Sequence, residues 1–148
     1  MVQAIRIHKT GGPEVLTWEE VTVGTPGPGE ARIRQTAVGL NFIDTYNRGG
    51  IYPVAMPTVI GNEAAGVIEE LGPGVTDLKL GDRVAYGNAP IGSYAEARLI
   101  PAGRLMKLPD GVSDQQAAAI MLKGLTAWYL LRQTYRVKPG ETILFHAA

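Results

Sequence analysis

Hydrophobic and polar positions alternate with a period of two over most of the first 110 residues, the pattern of half-buried strands. Ile5 and Ile7 alternate with Arg6 and His8. Gly11-Gly12-Pro13 closes this first strand, and Val15 to Val23 reads as a second. After the Gly- and Pro-rich turn at Gly24–Gly29, Ala31, Ile33 and Ala37 oppose Arg32, Arg34 and Thr36 in a third strand that runs to Gly39. Asn41 then stands where a helix N-cap belongs, with Phe42 to Arg48 as a short helix and Gly49-Gly50 as its stop. Residues 51–60 carry Pro53 and Pro57 and read as an irregular loop. Ala64-Ala65-Gly66-Val67-Ile68 suits a strand packed closely on other backbone, and Gly72-Pro73-Gly74 is a turn. Arg83–Tyr86 is a strand entered through Gly81-Asp82. In Ser93–Ile100, Ala95, Ala97 and Leu99 face one way and Tyr94, Glu96 and Arg98 the other. Short strands joined by tight turns predict a mainly β unit, most simply a small barrel.

The period changes after residue 110. Ser113 and Gln116 form a capping-box pair ahead of Ala117-Ala118-Ala119-Ile120-Met121, which predicts a helix. Lys123-Gly124 interrupts it, and Leu125 to about Tyr135 resumes a helical pattern with Leu125, Trp128, Tyr129 and Leu131 on the apolar side. Pro139-Gly140 is a turn, and Thr142–Phe145 reads as an apolar strand that opens an α/β unit. The expected fold class is therefore mainly β with α.

Composition narrows the function classes. Apolar residues make up 45% and charged residues 19%, which places the chain among soluble globular proteins. Lys plus Arg and Asp plus Glu are equal at 14 each, so no basic stripe favours nucleic acid and no field favours an anionic membrane. The longest apolar run, Ala117–Leu122, is far shorter than the ~20 residues of a membrane span. Cysteine is absent, which removes disulfides and every Cys-based zinc or iron–sulfur site. A cytoplasmic location is the default expectation.

The chemistry concentrates in Gly39-Leu40-Asn41-Phe42-Ile43-Asp44-Thr45-Tyr46, where a carboxamide, a carboxylate and a phenol follow a strand within one helical turn or two. Each has a structural reading beside the functional one. Asn41 can cap the helix, and one Asn can cap and still line a pocket. Asp44 reads as a structural partner for an arginine. Tyr46 and Tyr52 fit an amphipathic surface edge as well as a pocket. Glu63 reads as a buried, paired carboxylate, Trp128 and Tyr129 as a helix packing face, and Lys123 as solvated or at a hinge.

Several segments together resemble the medium-chain dehydrogenase/reductase superfamily, and within it the zinc-independent quinone oxidoreductases related to zeta-crystallin. They are Gly11-Gly12-Pro13-Glu14-Val15-Leu16, Asn41-Phe42-Ile43-Asp44-Thr45-Tyr46 and Gly61-Asn62-Glu63-Ala64-Ala65-Gly66. Gly81-Asp82-Arg83-Val84, Gly92-Ser93-Tyr94-Ala95-Glu96, Ala117-Ala118-Ala119 with Lys123-Gly124-Leu125-Thr126, and Phe145-His146-Ala147-Ala148 continue the likeness in the family's order.

The resemblance implies a GroES-like, partly open β-barrel catalytic domain over residues 1–120. Residues 121–148 would be a linker helix and the first strand of an incomplete Rossmann nucleotide-binding domain. It implies NADPH as cofactor, a quinone or other small conjugated carbonyl as substrate, and a homodimeric full-length protein. Zinc-dependent relatives place a Cys at the position of Asn41 and a His at that of Asn62, so the resemblance implies no zinc. Phe42, Ile43, Asp44, Thr45, Tyr46, Thr126 and Tyr129 would contact the cofactor. A quinone oxygen gains negative charge as hydride arrives, which gives Asn41, Tyr46 and Tyr52 the catalytic positions, as hydrogen-bond donors and a stacking ring. Two alternatives stand beside this. One is an enoyl or enone reductase of the same superfamily, and the other a non-catalytic binding or structural module. A chain of this extent is expected to be inactive alone and to bind NADPH weakly.

Overall fold

The computed structural model describes residues 1–88, 90–144 and 146. Two antiparallel sheets carry the fold. The smaller is formed by β1 (Val2–Ile7), β2 (Thr17–Val21) and β4 (Thr58–Val59), in the order β2-β1-β4. The larger is formed by β3 (Glu30–Gly39), β5 (Glu63–Leu71), β6 (Arg83–Gly87), β7 (Ala97–Pro101) and β8 (Met106–Lys107), in the order β7-β3-β5-β6-β8. Ala4 bridges to Ala95, and Glu96 N–H donates to the Gln3 carbonyl, so the lead-in to β7 joins the two sheets. Helix α1 (Phe42–Gly49) follows β3 directly, and α2 (Asp114–Tyr129) packs across β3, β5 and β6.

The main core is built by the five-stranded sheet itself. Ala31, Ile33, Ala64, Ile68, Val84, Tyr86 and Ile100 form its main cluster, and Ala65, Ala85, Ala117 and Ala118 form the sheet–helix seam. Alanines at that seam allow close approach. A Cβ on Gly39 would lie 2.2 Å from the Ala118 carbonyl oxygen and 2.4 Å from Glu63 Oε2, so only glycine admits the helix backbone there.

Several expected boundaries move. The second strand begins only at Thr17, because Pro13–Val15 forms a single 3₁₀ turn that buries Val15. The loop at 51–60 contains a short strand, β4, which completes the edge of β1. In the segment Ser93–Ile100 burial extends to both faces, Arg98 and Ile100 being buried on one and Ala97 on the other. The buried Arg98 guanidinium is accommodated by donating to the Pro90 and Ile91 carbonyls and lying 5.3 Å from the Tyr86 ring centre.

Helix α2 is capped as predicted, Ser113 Oγ accepting from Gln116 N–H and Gln116 Oε1 from Ser113 N–H. It does not break at Lys123-Gly124. One glycine costs a helix only about 1 kcal/mol, and the Thr126 hydroxyl donates to the Leu122 carbonyl across that turn. The helix instead passes into a π-helical turn at Leu130–Thr134. No strand forms over the described part of the predicted Thr142–Phe145 strand: Ile143 and Leu144 are exposed and lack a ladder partner among the described residues. Phe145, Ala147 and Ala148 lie outside the described residues. Among those described, no helix is long and apolar enough to cross a membrane.

The start of α2 also carries a pH-sensitive anchor. Asp114 accepts from the Thr36 hydroxyl at 2.6 Å and from Arg83 Nη2 at 2.6 Å. The hydroxyl first, and the guanidinium after burial has opposed it, hold its carboxyl below the usual carboxylate range. A depressed carboxyl stabilises the fold above its unfolded value of about 3.9, and that stability is lost as pH falls through the folded value. Asp114→Asn is therefore expected to unfold at lower denaturant than wild type at pH 7, with the gap closing below about pH 4. Denaturation midpoints across that range check it, and a gap independent of pH would refute the assignment.

Candidate functional site

Strand β3 ends at Gly39 and hands the chain to α1 with Asn41 in extended geometry at the N-cap. Asn41 is a cap by backbone only, because its side chain makes no cap hydrogen bond. The cap is supplied by Asp44, whose Oδ2 accepts the Asn41 backbone N–H at 2.9 Å. That frees the Asn41 carboxamide to turn inward. Its Nδ2 donates to Glu63 Oε2 at 2.8 Å, and its Oδ1 accepts from Lys123 Nζ at 2.8 Å. Lys123 also donates to Glu63 Oε2 at 3.0 Å, and Glu63 Oε1 accepts the Leu122 backbone N–H at 2.8 Å. Glu63 is fully buried and both of its carboxylate oxygens are satisfied, which is the condition for keeping a carboxylate inside.

A second network lies beneath the first. Asp44 Oδ1 accepts from Asn62 Nδ2 at 2.7 Å and Oδ2 from the Tyr94 hydroxyl at 2.8 Å, with Asn47 Oδ1 at 3.4 Å from the same Asn62 nitrogen. Burial, then the Asp44 carboxylate, push the Tyr94 phenol well above its ordinary value, so it remains a donor throughout the neutral and alkaline range. Among the described residues Asp44 has no cationic partner, so the arginine expected for it is replaced by three neutral donors. A carboxylate can be held by N–H and O–H donors as well as by a cation.

These networks invert α1. Its interior face is Asp44 and Asn47, and its outer face is aromatic, with Phe42 80% exposed. Tyr46 lies tilted beside Phe42 at 6.3 Å and meets Tyr52 edge-on at 5.6 Å between ring centres. Among the described residues neither the Tyr46 nor the Tyr52 hydroxyl has a hydrogen-bond partner, so both phenols are free to serve an incoming oxygen.

A cleft of about 620 Å³ opens between α1 and α2, lined by Asn41, Phe42, Ile43, Ile120, Lys123, Thr126 and Leu130 among others. It brings together Asn41, Phe42, Ile43 and Thr126 of the predicted site. It does not include Asp44, which is buried, or Thr45, whose hydroxyl donates to the Phe42 carbonyl. Tyr46 and Tyr52 stand on the outer face of α1, and Tyr129 is exposed further along α2. Lys123, read from sequence as solvated or at a hinge, keeps its side chain half exposed while its ammonium is docked on Asn41 and Glu63. Its signal was available: Gln115, Ala119 and Lys123 recur at spacings of four, which puts the lysine on the stripe facing the end of β3. Asn47 and Tyr94 gave no such signal, because their partners lie on other elements.

Comparison with known proteins follows this geometry. Residues 27–110 match the family model for the alcohol dehydrogenase GroES-like domain. The chain is 53% identical to a 2-haloacrylate reductase from Burkholderia sp and 52% identical to a quinone oxidoreductase from Pseudomonas aeruginosa, in both cases over 100% of this chain and 46% of the relative. Among solved structures, Escherichia coli quinone oxidoreductase complexed with NADPH superposes with a TM-score of 0.92 at 46% identity, covering 94% of this chain and 43% of that one. The chain thus spans about half the length of the relatives it matches.

Proposed function

We propose, from the premise that this chain belongs to the alcohol dehydrogenase GroES-like family and to the quinone-oxidoreductase group of the medium-chain dehydrogenase/reductase superfamily, that it forms the substrate-facing part of a zinc-independent NADPH:quinone oxidoreductase. Residues 1–120 would be the catalytic domain, and 121–148 the lead into the nucleotide-binding part. The observation that carries the reading is the cleft between α1 and α2, with one oriented carboxamide, one held ammonium and otherwise apolar walls.

The residues present suit the nicotinamide end of NADPH. Phe42 and Ile43 offer flat apolar contact, and the Thr126 hydroxyl, whose hydrogen is committed to the Leu122 carbonyl, offers only lone pairs. When bound, NADPH supplies the hydride. The protein's own part is to bind a flat acceptor in the cleft beside Phe42, orient it, exclude water and place donors at the oxygen that gains charge. The same residues do not suit zinc. Asn41 and Asn62 present carboxamides already engaged with carboxylates, and among the described residues no group of three His, Cys, Asp or Glu side chains could hold a metal.

A second reading rests on the 2-haloacrylate reductase relative at 53% identity. Its name describes an alkene conjugated to a carboxylate, so the same pocket would deliver hydride to carbon while its donors hold the carboxylate oxygen. Steady-state assays of the full-length polypeptide carrying this chain separate the two. NADPH oxidation is expected with 1,4-benzoquinone at a kcat/KM at least about tenfold above that with 2-chloroacrylate or a crotonyl thioester. Turnover of the alkenes alone would replace the first reading with the second.

A further inference from the structure

Lys123 is the one charged residue among the described residues that line the α1–α2 cleft. A lysine on a helix surface is ordinarily a mobile cation, but this one is held at two points. Asn41 Oδ1 lies 2.8 Å and Glu63 Oε2 3.0 Å from its Nζ. Its partner Glu63 is fully buried, whereas the lysine side chain is 52% exposed. The ion pair is neutral overall, yet its positive end faces the cleft and its negative end faces the protein. An ammonium has three N–H donors, and two are used. The third has no protein acceptor among the described residues, and the lysine borders the cleft together with Phe42, Ile43, Ile120 and Leu130, whose apolar surfaces lower the local dielectric once the cleft is filled.

We propose that Lys123 is a catalytic residue: its ammonium is the donor that meets the acceptor oxygen on which negative charge develops during hydride transfer. Asn41 and Glu63 are positioning residues for that ammonium. The inference deepens the proposed function and rests on it for the identity of the oxygen. When hydride adds to one carbonyl oxygen of a 1,4-quinone, an O–H bond forms, the ring becomes aromatic and the displaced electron pair moves onto the opposite oxygen, giving a hydroquinone monoanion. That oxyanion accepts the third N–H of Lys123, and its own proton arrives afterwards from water. A donor already fixed in place stabilises such a charge without reorganising, and loss of one donor of this kind slows turnover by about 100-fold.

The test uses the full-length polypeptide and two readouts, reduction of 1,4-benzoquinone by NADPH and binding of 4-nitrophenolate followed by its absorbance. The second needs no turnover. Lys123→Met is expected to weaken phenolate binding by about tenfold and to lower kcat by about 100-fold, with Lys123→Arg falling between. Because Lys123→Met alone leaves Glu63 buried without its cation, the double variant Glu63→Gln/Lys123→Met removes both charges. Phenolate binding and kcat stay low in the double variant if the ammonium acts on the substrate. Recovery of either in the double variant would show that Lys123 only neutralises Glu63 and would overturn the proposal. So would wild-type protein that binds no phenolate, or a Lys123→Met protein that matches wild type. Lysine-dependent phenolate binding in an enzyme that reduces no quinone would overturn the proposed function and leave Lys123 as the oxyanion donor for another acceptor.

Discussion

Asp44→Ala is expected to cost about 4 kcal/mol of folding stability. Three donors converge on this carboxylate from three elements: the Asn41 backbone N–H at the start of α1, the Asn62 amide ahead of β5, and the Tyr94 hydroxyl ahead of β7. Alanine leaves all three unmade. Each buried unpaired donor costs roughly 1–3 kcal/mol, the cap contact of the Asn41 N–H being one of the three. Tyr94 is only half-buried and recovers part of its share from water, while Asn62 retains a long contact to Asn47. Those two partial rescues bring the sum down to the stated figure. Asp44→Asn is isosteric and keeps one acceptor oxygen, but it turns an NH₂ toward existing donors, so about half the loss is expected. Urea denaturation of the three proteins at pH 7 gives the comparison. An alanine variant within about 1 kcal/mol of wild type would mean that the convergence seen in the structure has little energetic weight.

The same carboxylate shows how much of this protein could be read in advance. A structural role for Asp44 was legible, but the partner assigned to it was an arginine, since charge pairing is the readiest rule for a carboxylate in a linear sequence. Two of its three donors lie 18 and 50 residues away and become partners only when β3, β5 and the β7 lead-in are adjacent. Strands were legible wherever one sheet face is solvated, as in Glu30–Gly39, because burial on one side forces alternation. They were illegible where pairing alone makes the strand. Thr58–Val59 and Met106–Lys107 are two-residue edges with no room for a pattern. Arg98 went to the polar face because a lone cation reads as solvated, yet backbone carbonyls from the 90–91 segment make it an interior residue.

Helix α1 exposes the deeper reason. Amphipathic logic assigns apolar residues to the inside, and here Asp44 and Asn47 are inside while Phe42, Tyr46 and the nearby Tyr52 are out. Local consistency fails at the place where chemistry is proposed. That is the expected signature of a surface built to meet something other than the protein's own core.

Asn41→Asp turns the site against itself in a way that pH can read. The substitution keeps the shape of the side chain but puts a carboxylate oxygen where Nδ2 now sits, 2.8 Å from Glu63 Oε2. Two carboxylates at that distance cannot both ionise freely, and Lys123 offers one cation between them. The pair shares a proton and its upper macroscopic pKa is raised by the mutual repulsion, so the variant is expected to be less stable than wild type at neutral pH. The sign follows from proton counting. The folded variant binds a proton at pH values where the unfolded chain has released it, so stability falls as pH rises through the raised value. The destabilisation is therefore full above it and vanishes near the unfolded carboxyl value of about 4. Glu63→Gln in the same background removes one of the two carboxylates. It is expected to restore most of the loss, since the carboxylate introduced on α1 then pairs with Lys123 alone. The cycle of single and double variants isolates the Asn41–Glu63 interaction from the effect of each change by itself. Equal stabilities for wild type and Asn41→Asp from pH 4 to pH 8 would mean that the two side chains do not share a buried site. In that case the oriented carboxamide on which the proposed chemistry depends would have no support.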